Sequence, residues 1–453
     1  MTNWVKKASV VCLWILLWQL LAMLINNDIL LASPLQTALT LCRGLVSPTF
    51  WSTINYSMLR ILLGFVIALG AGLLAGAAAW RWPLLADLLN PAVTFIKSVP
   101  IVCFIVMLLI WFGSGWVAMV AVVLVAYPAI YFSVLEGLNQ RDLQLNEMLE
   151  VFHVTGWRKL AAYYWPSILP FLQAACKTAV GMSWKSGVAA ELIGLPMGSI
   201  GERIYRAKIL LNSADVFAWT IVVVAISVVA ELIFLRLLSH SDNWLWHLSL
   251  PKLYPGPTLP AAPTPITATD IKKQFVDKTV LANLSLTFEP GGRYAVFSPS
   301  GSGKTTLLRL LARLDSPDSG SITNTNRMSV VFQEARLFEK RNAVENIRLI
   351  VGSYVSDADI RSMLVCLLPA DSLDLPTSQL SGGMRRRVEL CRALLASSQV
   401  ILLDEPFAGL DLANTAMAQE LILSSLSGRT LVVVSHDPED VELLSLKSLS
   451  LRA

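Results

Sequence analysis

Nine consecutive residues, Ser298, Pro299, Ser300, Gly301, Ser302, Gly303, Lys304, Thr305 and Thr306, combine small backbone-exposing types with one cation and two hydroxyls. A predicted strand over 294–297 leads into them, and a predicted helix over 307–314 leaves them. In the order strand, Gly-rich loop, helix N-terminus, free backbone N–H groups and the helix dipole both point at an anion. Such a loop cradles phosphates, with Lys304 reaching the β and γ groups and Thr305 ligating Mg2+. Ser298 stands where the GxxxxGK pattern begins with glycine, a departure that bears on phosphate affinity. A second predicted strand, 400–403, ends in Asp404 and Glu405. One carboxylate is placed to hold Mg2+ through water and the other to polarise an attacking water, a pairing suited to phosphoryl transfer. A third predicted strand, 431–434, brings His436 to the same sheet edge.

The elements that must position these residues are short β-branched runs alternating with amphipathic helical stretches, the pattern of α/β layers. They occupy only the last part of the chain. Residues 1–250 carry 15 Lys and Arg against 11 Asp and Glu, and the remaining residues carry 21 against 21. All 14 Trp lie in the first part, where a ring suited to the lipid–water boundary has a use. With 453 residues that are 55% hydrophobic and 15% charged, the chain is too apolar for a wholly soluble enzyme. The second part nets to zero charge, so it offers no basic face and no nucleic-acid partner. Six scattered cysteines have neither disulfide nor zinc spacing and read as small apolar residues.

Clear predicted spans run over 8–25, 58–80, 92–112, 117–135 and 216–238. Lys6 and Lys7 place the start on the cytoplasmic side, and the first span reads as retained, not as a cleaved signal peptide. Gly72 and Gly76, spaced GxxxG, predict a close helix–helix approach. Five crossings would leave the phosphate-binding part outside, so parity requires a sixth, placed at 168–190 despite Gln173, Lys177 and Lys185. Polar residues within a span usually face a bundle interior or a solute path, which makes Lys185 and Glu191 candidates for the translocation path. The alternative reading has both near the span's outer end, reaching water. Arg203, Arg206 and Lys208 then fall outside, against the positive-inside trend. Six prolines within 251–266 preclude a helix and mark an extended tether.

With Leu380-Ser-Gly-Gly-Met384 added, the second part resembles the ATP-binding cassette (ABC) ATPases over 271–453. The resemblance implies ATP and Mg2+ as ligands and Glu405, His436 and Gln333 as catalytic residues. It also implies Thr305, Gln333 and Asp404 around Mg2+, and residues 298–306 around the phosphates. Phe275, 29 positions before Lys304, matches the ring placed against adenine, with a buried core ring as the alternative. Ala408 to Asp411 matches the D-loop. Ser381, Gly382 and Gly383 match the signature that covers the γ-phosphate held by a second cassette, so a homodimer or a second ABC half is implied. The cassette is short, with 77 positions from Lys304 to Ser381 and 17 after His436.

Glu147 to His153, nine residues, then Tyr163 to Pro166 resemble the EAA loop of binding-protein-dependent importers, with Glu147 and Pro166 kept and His153 at its glycine. The resemblance implies a helix docking on the ATPase through Glu147, Phe152, His153 and Pro166. Ala32-Ser-Pro34, the run 57–65, Lys97-Ser-Val-Pro100, 111–115 and 190–194 resemble landmarks of nitrate, sulfonate and taurine type permeases.

The expected architecture is thus a membrane all-α six-helix permease domain (1–250), a Pro-rich linker (251–266), and an α/β P-loop NTPase domain (267–453). The expected setting is a prokaryotic cytoplasmic membrane, crossed several times, with the ATPase on the cytoplasmic side. The expected partners are an extracytoplasmic solute-binding protein, a small solute such as a sulfonate, nitrate, taurine or vitamin precursor, and membrane lipid. An exporter half-transporter and a force-transmitting ATPase that moves no solute are the competing readings.

Overall fold

The computed structural model describes residues 3–250, 262–275, 278–297, 302–435 and 442–450. The chain divides into two compact units, Met1–Arg141 with Trp165–Asp242, and Asp142–Tyr164 with Asn243–Ala453. The EAA-like segment therefore groups with the nucleotide-binding part.

Along the chain the helices of the first unit are α1 (Asn3–Ile25), α2 (Pro34–Val46), α3 (Pro48–Arg81), α4 (Pro83–Ser98), α5 (Ile101–Phe112) and α6 (Val117–Asn139). After α7 (Leu143–Val151) and α8 (Gly156–Lys159) of the second unit come α9 (Trp165–Gly194), α10 (Ile200–Ile209) and α11 (Ser213–Ser249), the last running on into the second unit. Among the described residues α3, α6, α11 and the Ala8–Ile25 part of α1 are long and apolar enough to cross a membrane unaided.

The stretch expected as a span over 92–112 is not one helix. Its residues belong to α4 and α5, which meet at 103°. Pro100 cannot donate a helical hydrogen bond and drives the residue before it out of the α region, and Val99 is extended at φ −81°, ψ 131°. The polar 168–190 stretch does lie within one unbroken 30-residue helix, α9. Leu172, Cys176, Ala179, Val180, Ser183, Trp184 and Gly187 bury one face at helical spacing, while Lys177 and Lys185 are exposed on another.

Gly72 and Gly76 act as their spacing predicts. A Cβ on Gly72 would lie 2.7 Å from Ile130 Cγ2, and one on Gly76 2.8 Å from Val134 Cβ. The pairings advance together along α3 and α6, so these helices run parallel at close range. Gly137 meets Ile168 and Gly187 meets Val122, so α9 returns antiparallel to α6.

Glu191 is fully buried, which removes the reading in which it reaches water. The Ser57 hydroxyl donates to its Oε2 at 2.8 Å and accepts from the Ile200 N–H at 2.9 Å, and the Gly201 N–H donates to the same oxygen at 3.2 Å. One carboxylate thus joins α3, α9 and the first turn of α10. Ser57→Ala strands the Ile200 amide and one lone pair in the interior, at a cost of about 1–3 kcal/mol. A lower melting temperature of the detergent-purified protein is the expected result, and an unchanged one would remove this role.

The second unit has a three-stranded antiparallel sheet, ordered β2-β1-β4, and a five-stranded parallel one, ordered β5-β6-β7-β3-β8. The strands are β1 (Ile266–Phe275), β2 (Lys278–Phe288), β3 (Arg293–Phe297), β4 (Ser319–Thr323), β5 (Met328–Val331), β6 (Val400–Asp404), β7 (Thr430–Val434) and β8 (Lys447–Ser450). Around them lie α12 (Lys304–Leu311), α13 (Ala343–Val351), α14 (Asp357–Val365), α15 (Gly382–Leu395) and α16 (Leu412–Ser425). β5, β6 and β7 are buried along their whole length, as apolar runs in a covered parallel sheet require. Their C-terminal ends deliver the chemical residues to one edge, the usual ligand side of such sheets.

Candidate functional site

β3 and β6 flank β7, with Val296 and Asp404 both level with Val434. This register sets the start of α12 beside Asp404, which Thr305 reaches. Gly303 caps α12 with φ 90°, a left-handed conformation, and a Cβ there would lie 2.8 Å from Val280. α12 starts at Lys304, three residues ahead of the predicted start, so Lys304 and Thr305 occupy its first turn. The Thr305 hydroxyl donates to Asp404 Oδ2 at 3.1 Å. Burial raises the Asp404 carboxyl above the usual range, opposed by the Thr305 bond and reinforced by the neighbouring Glu405. Burial likewise lowers the Lys304 ammonium, against the pull of Glu405 and Asp404. The Ser302 Oγ is buried without a partner among the described residues. An orphaned hydroxyl, a helix N-terminus and two crowded acids beside a hydroxyl fit a nucleotide phosphate chain with a divalent cation.

Glu405 follows β6 in a left-handed conformation, φ 48°, fixed by its N–H donating to the Val434 carbonyl at 2.9 Å. A non-glycine residue held there costs roughly 1–3 kcal/mol and marks a position the surrounding structure over-determines. Gln333 is exposed after β5, and Arg386 donates to its carbonyl at 2.6 Å. Ser381 caps α15 by accepting from the Met384 N–H at 3.2 Å, next to open space around Gly382. A Cβ on Gly383 would lie 3.0 Å from the Gly409 carbonyl. Phe275 ends β1 exposed, with the Lys273 ammonium 5.5 Å from its ring, which removes the buried-core alternative. Ser298, Pro299, Ser300, Gly301 and His436 lie outside the described residues, as does the linker over 251–261.

A second constellation surrounds Glu147 in α7. Arg309 of α12 grips its carboxylate through two bonds of 2.9 Å, and Arg336 donates to Oε2 at 2.8 Å. The Arg309 bond, ahead of the charges of both arginines, holds the Glu147 carboxyl below its usual range despite partial burial. Met148, Leu149 and Val151 enter the same apolar core as Leu308, Val330 and Leu402. Phe152 lies 5.4 Å from the buried Arg392 guanidinium. His153 has φ 53°, the conformation that explains a glycine at this place in the EAA pattern. The Tyr163 hydroxyl donates to the Asp142 carbonyl at 2.6 Å and closes the segment. Pro166, the fourth expected coupling residue, is the second residue of α9, in the other unit.

Residues 281–408 match the ABC transporter family, and residues 64–247 match the family of binding-protein-dependent transport system inner membrane components. The aliphatic sulfonates import ATP-binding protein of Rhodococcus jostii is 38% identical over 189 residues, 40% of this chain and 76% of that protein. The chain belongs to the ABC transporters. The corresponding protein of Granulibacter bethesdensis is 40% identical over 39% of this chain and 74% of its own length. A bacterial ABC transporter cassette solved as a dimer shares 26% identity over 41% of this chain and 94% of its own, with a TM-score of 0.37.

This ABC transporter therefore carries an importer-type permease and its ATPase on one polypeptide, and it hydrolyses ATP in support of transport. It is a multi-pass protein of the cytoplasmic membrane with the ATPase on the cytoplasmic side. The permease match runs against the exporter and force-transmitting readings. Arg309 and Arg336 escaped the sequence reading of this ABC transporter, because the motifs end at Thr306 and Glu334. The one signal for Arg309 is its place as a lone cation in Leu307-Leu-Arg-Leu-Leu311, a run otherwise apolar.

Proposed function

We propose that two copies of the chain form an ATP-driven importer for a small oxyanion, a sulfonate foremost, received from an extracytoplasmic solute-binding protein. The observation that carries this reading is the docked importer-type segment, with Glu147 clamped to the helix that begins at Lys304. The Rhodococcus and Granulibacter relatives are named for aliphatic sulfonate import, which supports the solute class.

Within each nucleotide site, Lys304, Ser302, Thr306 and the loop 298–303 bind the phosphates, and Phe275 stacks on the base. Thr305, Asp404 and Gln333 would hold Mg2+, which would neutralise charge developing on the transferred phosphoryl group. Glu405 takes the proton of the attacking water, and His436 steadies the γ-phosphate side. Ser381, Gly382 and Gly383 of one copy close over the nucleotide of the other, so turnover needs the pair. Closure pulls on the segment around Glu147, Phe152 and His153, and the permease alternates between outward and inward access. Lys185, exposed on α9, is the remaining candidate to meet an anionic solute, with Glu191 behind it as a buried brace.

Proteoliposomes holding the full chain, assayed with and without a sulfonate-binding protein of the importer type, test this reading. ATP-dependent accumulation of a radiolabelled alkanesulfonate that requires the binding protein is expected. ATP-driven efflux, or no ATP-dependent movement of sulfonate, taurine or nitrate, would overturn it.

A further inference from the structure

The start of β5, at the end opposite the nucleotide residues, borders a cavity of about 380 Å3. Phe152, His153 and Arg158 of the coupling segment line it, together with Arg327, Tyr354 and Ser397 of the cassette. Its size falls within the roughly 300–1,000 Å3 of small-molecule sites. Among the described residues that line it there is no carboxylate, whereas two guanidinium groups and an imidazole share the space. Burial pushes His153 toward its neutral form, and the charges of Arg327 and Arg313 push it further in the same direction. The backbone rims are already committed: Arg158 donates to the Leu349 carbonyl, and the Ser397 N–H donates to the Tyr354 hydroxyl at 2.8 Å. Gathering like charges around one space is unfavourable until an anion enters, and charge-assisted bonds to Arg suit a tetrahedral oxyanion best.

We propose that this cavity binds a small oxyanion of the sulfate, sulfonate or phosphate type, and that the anion ties the coupling segment to the cassette. His153 and Arg158 lie on one side of that tie and Arg327 on the other, so occupancy strengthens docking in addition to the Glu147 clamp. Met328 and Ile350 supply an apolar wall that leaves room for a short organic body on the anion. The inference is independent of which solute the permease carries.

The test is equilibrium binding of radiolabelled sulfate to the full chain in phosphatidylcholine nanodiscs. Mg2+ and a non-hydrolysable ATP analogue first fill the nucleotide site, so that it cannot capture the label. One saturable sulfate site per chain is expected. Arg327→Ala should weaken it by about tenfold or more, as loss of one charge-assisted contact does, and Arg327→Lys should restore most of it. His153→Gly, which keeps the left-handed backbone and removes the imidazole, should weaken it less. Retained binding of the ATP analogue certifies the fold of each variant. No saturable site in the wild type, or equal binding in Arg327→Ala, overturns the proposal. Nanodiscs with added phosphatidylglycerol separate the sources: displaced sulfate assigns the site to a lipid headgroup phosphate, and undiminished sulfate assigns it to a soluble anion.

Discussion

Glu405→Gln is expected to keep MgATP bound while turnover falls by about 10²–10⁴-fold, the usual contribution of a positioned general base. The substitution changes neither shape nor the N–H bond to Val434 that fixes the residue in its left-handed conformation. It removes only the ability to accept a proton, so nucleotide affinity should survive. Asp404, bonded to Thr305, is left to hold the cation side. Steady-state ATPase rates and nucleotide binding, measured on one purified preparation, separate the two effects. A variant that hydrolyses at the wild-type rate would assign the base elsewhere.

Glu147→Ala is expected to abolish uptake while a large part of the ATPase activity remains. The side chain answers Arg309 and Arg336 together, and Arg336 is largely buried, so its guanidinium loses its carboxylate partner in a site poorly reached by water. The loss should cost about 2–3 kcal/mol of docking, roughly a 30- to 150-fold weaker hold. The folded carboxyl sits below its usual range, so the clamp contributes fully above that range and is lost only as the pH falls through the lowered value. Uptake per ATP hydrolysed should thus be independent of this group's titration near neutrality. Coupled transport in Glu147→Ala at the wild-type ratio would dismiss the clamp as a transmission element.

The nucleotide edge was legible because its chemistry depends on residue types at short spacing, and Lys304, Thr305, Asp404 and Glu405 converge as the strand pattern required. The left-handed backbone of Glu405 was not legible, since nothing local in Asp-Glu-Pro dictates it and the Val434 carbonyl does. The stretch that parity placed at 168–190 lies within one helix, α9, whose composition alone does not mark it as a span. The break between α4 and α5 was missed although Pro100 stood in view, because a hydropathy window averages over composition and carries no chain direction. Which of the two readings of Glu191 held was not legible for another reason: Ser57, its donor, is 134 positions away, and the burial of a lone acid depends on such distant partners. Arg309 and Arg336 belong to the same class, as they matter only once α7 is laid against α12.

α11 continues past Asp242, and its last turns carry Trp246, fully buried, edge-on to Phe338 and stacked 4.5 Å from the Arg341 guanidinium. Asn243 accepts from the same Arg341 at 2.7 Å. A motor supplied as a separate subunit would make such an attachment subject to dilution and to the relative expression of two genes. Here the attachment is written into one helix, so its local concentration is set by geometry and survives any dispersal in the bilayer. The cell gains a permease that is never without its engine, and gives up the freedom to share one engine among several permeases.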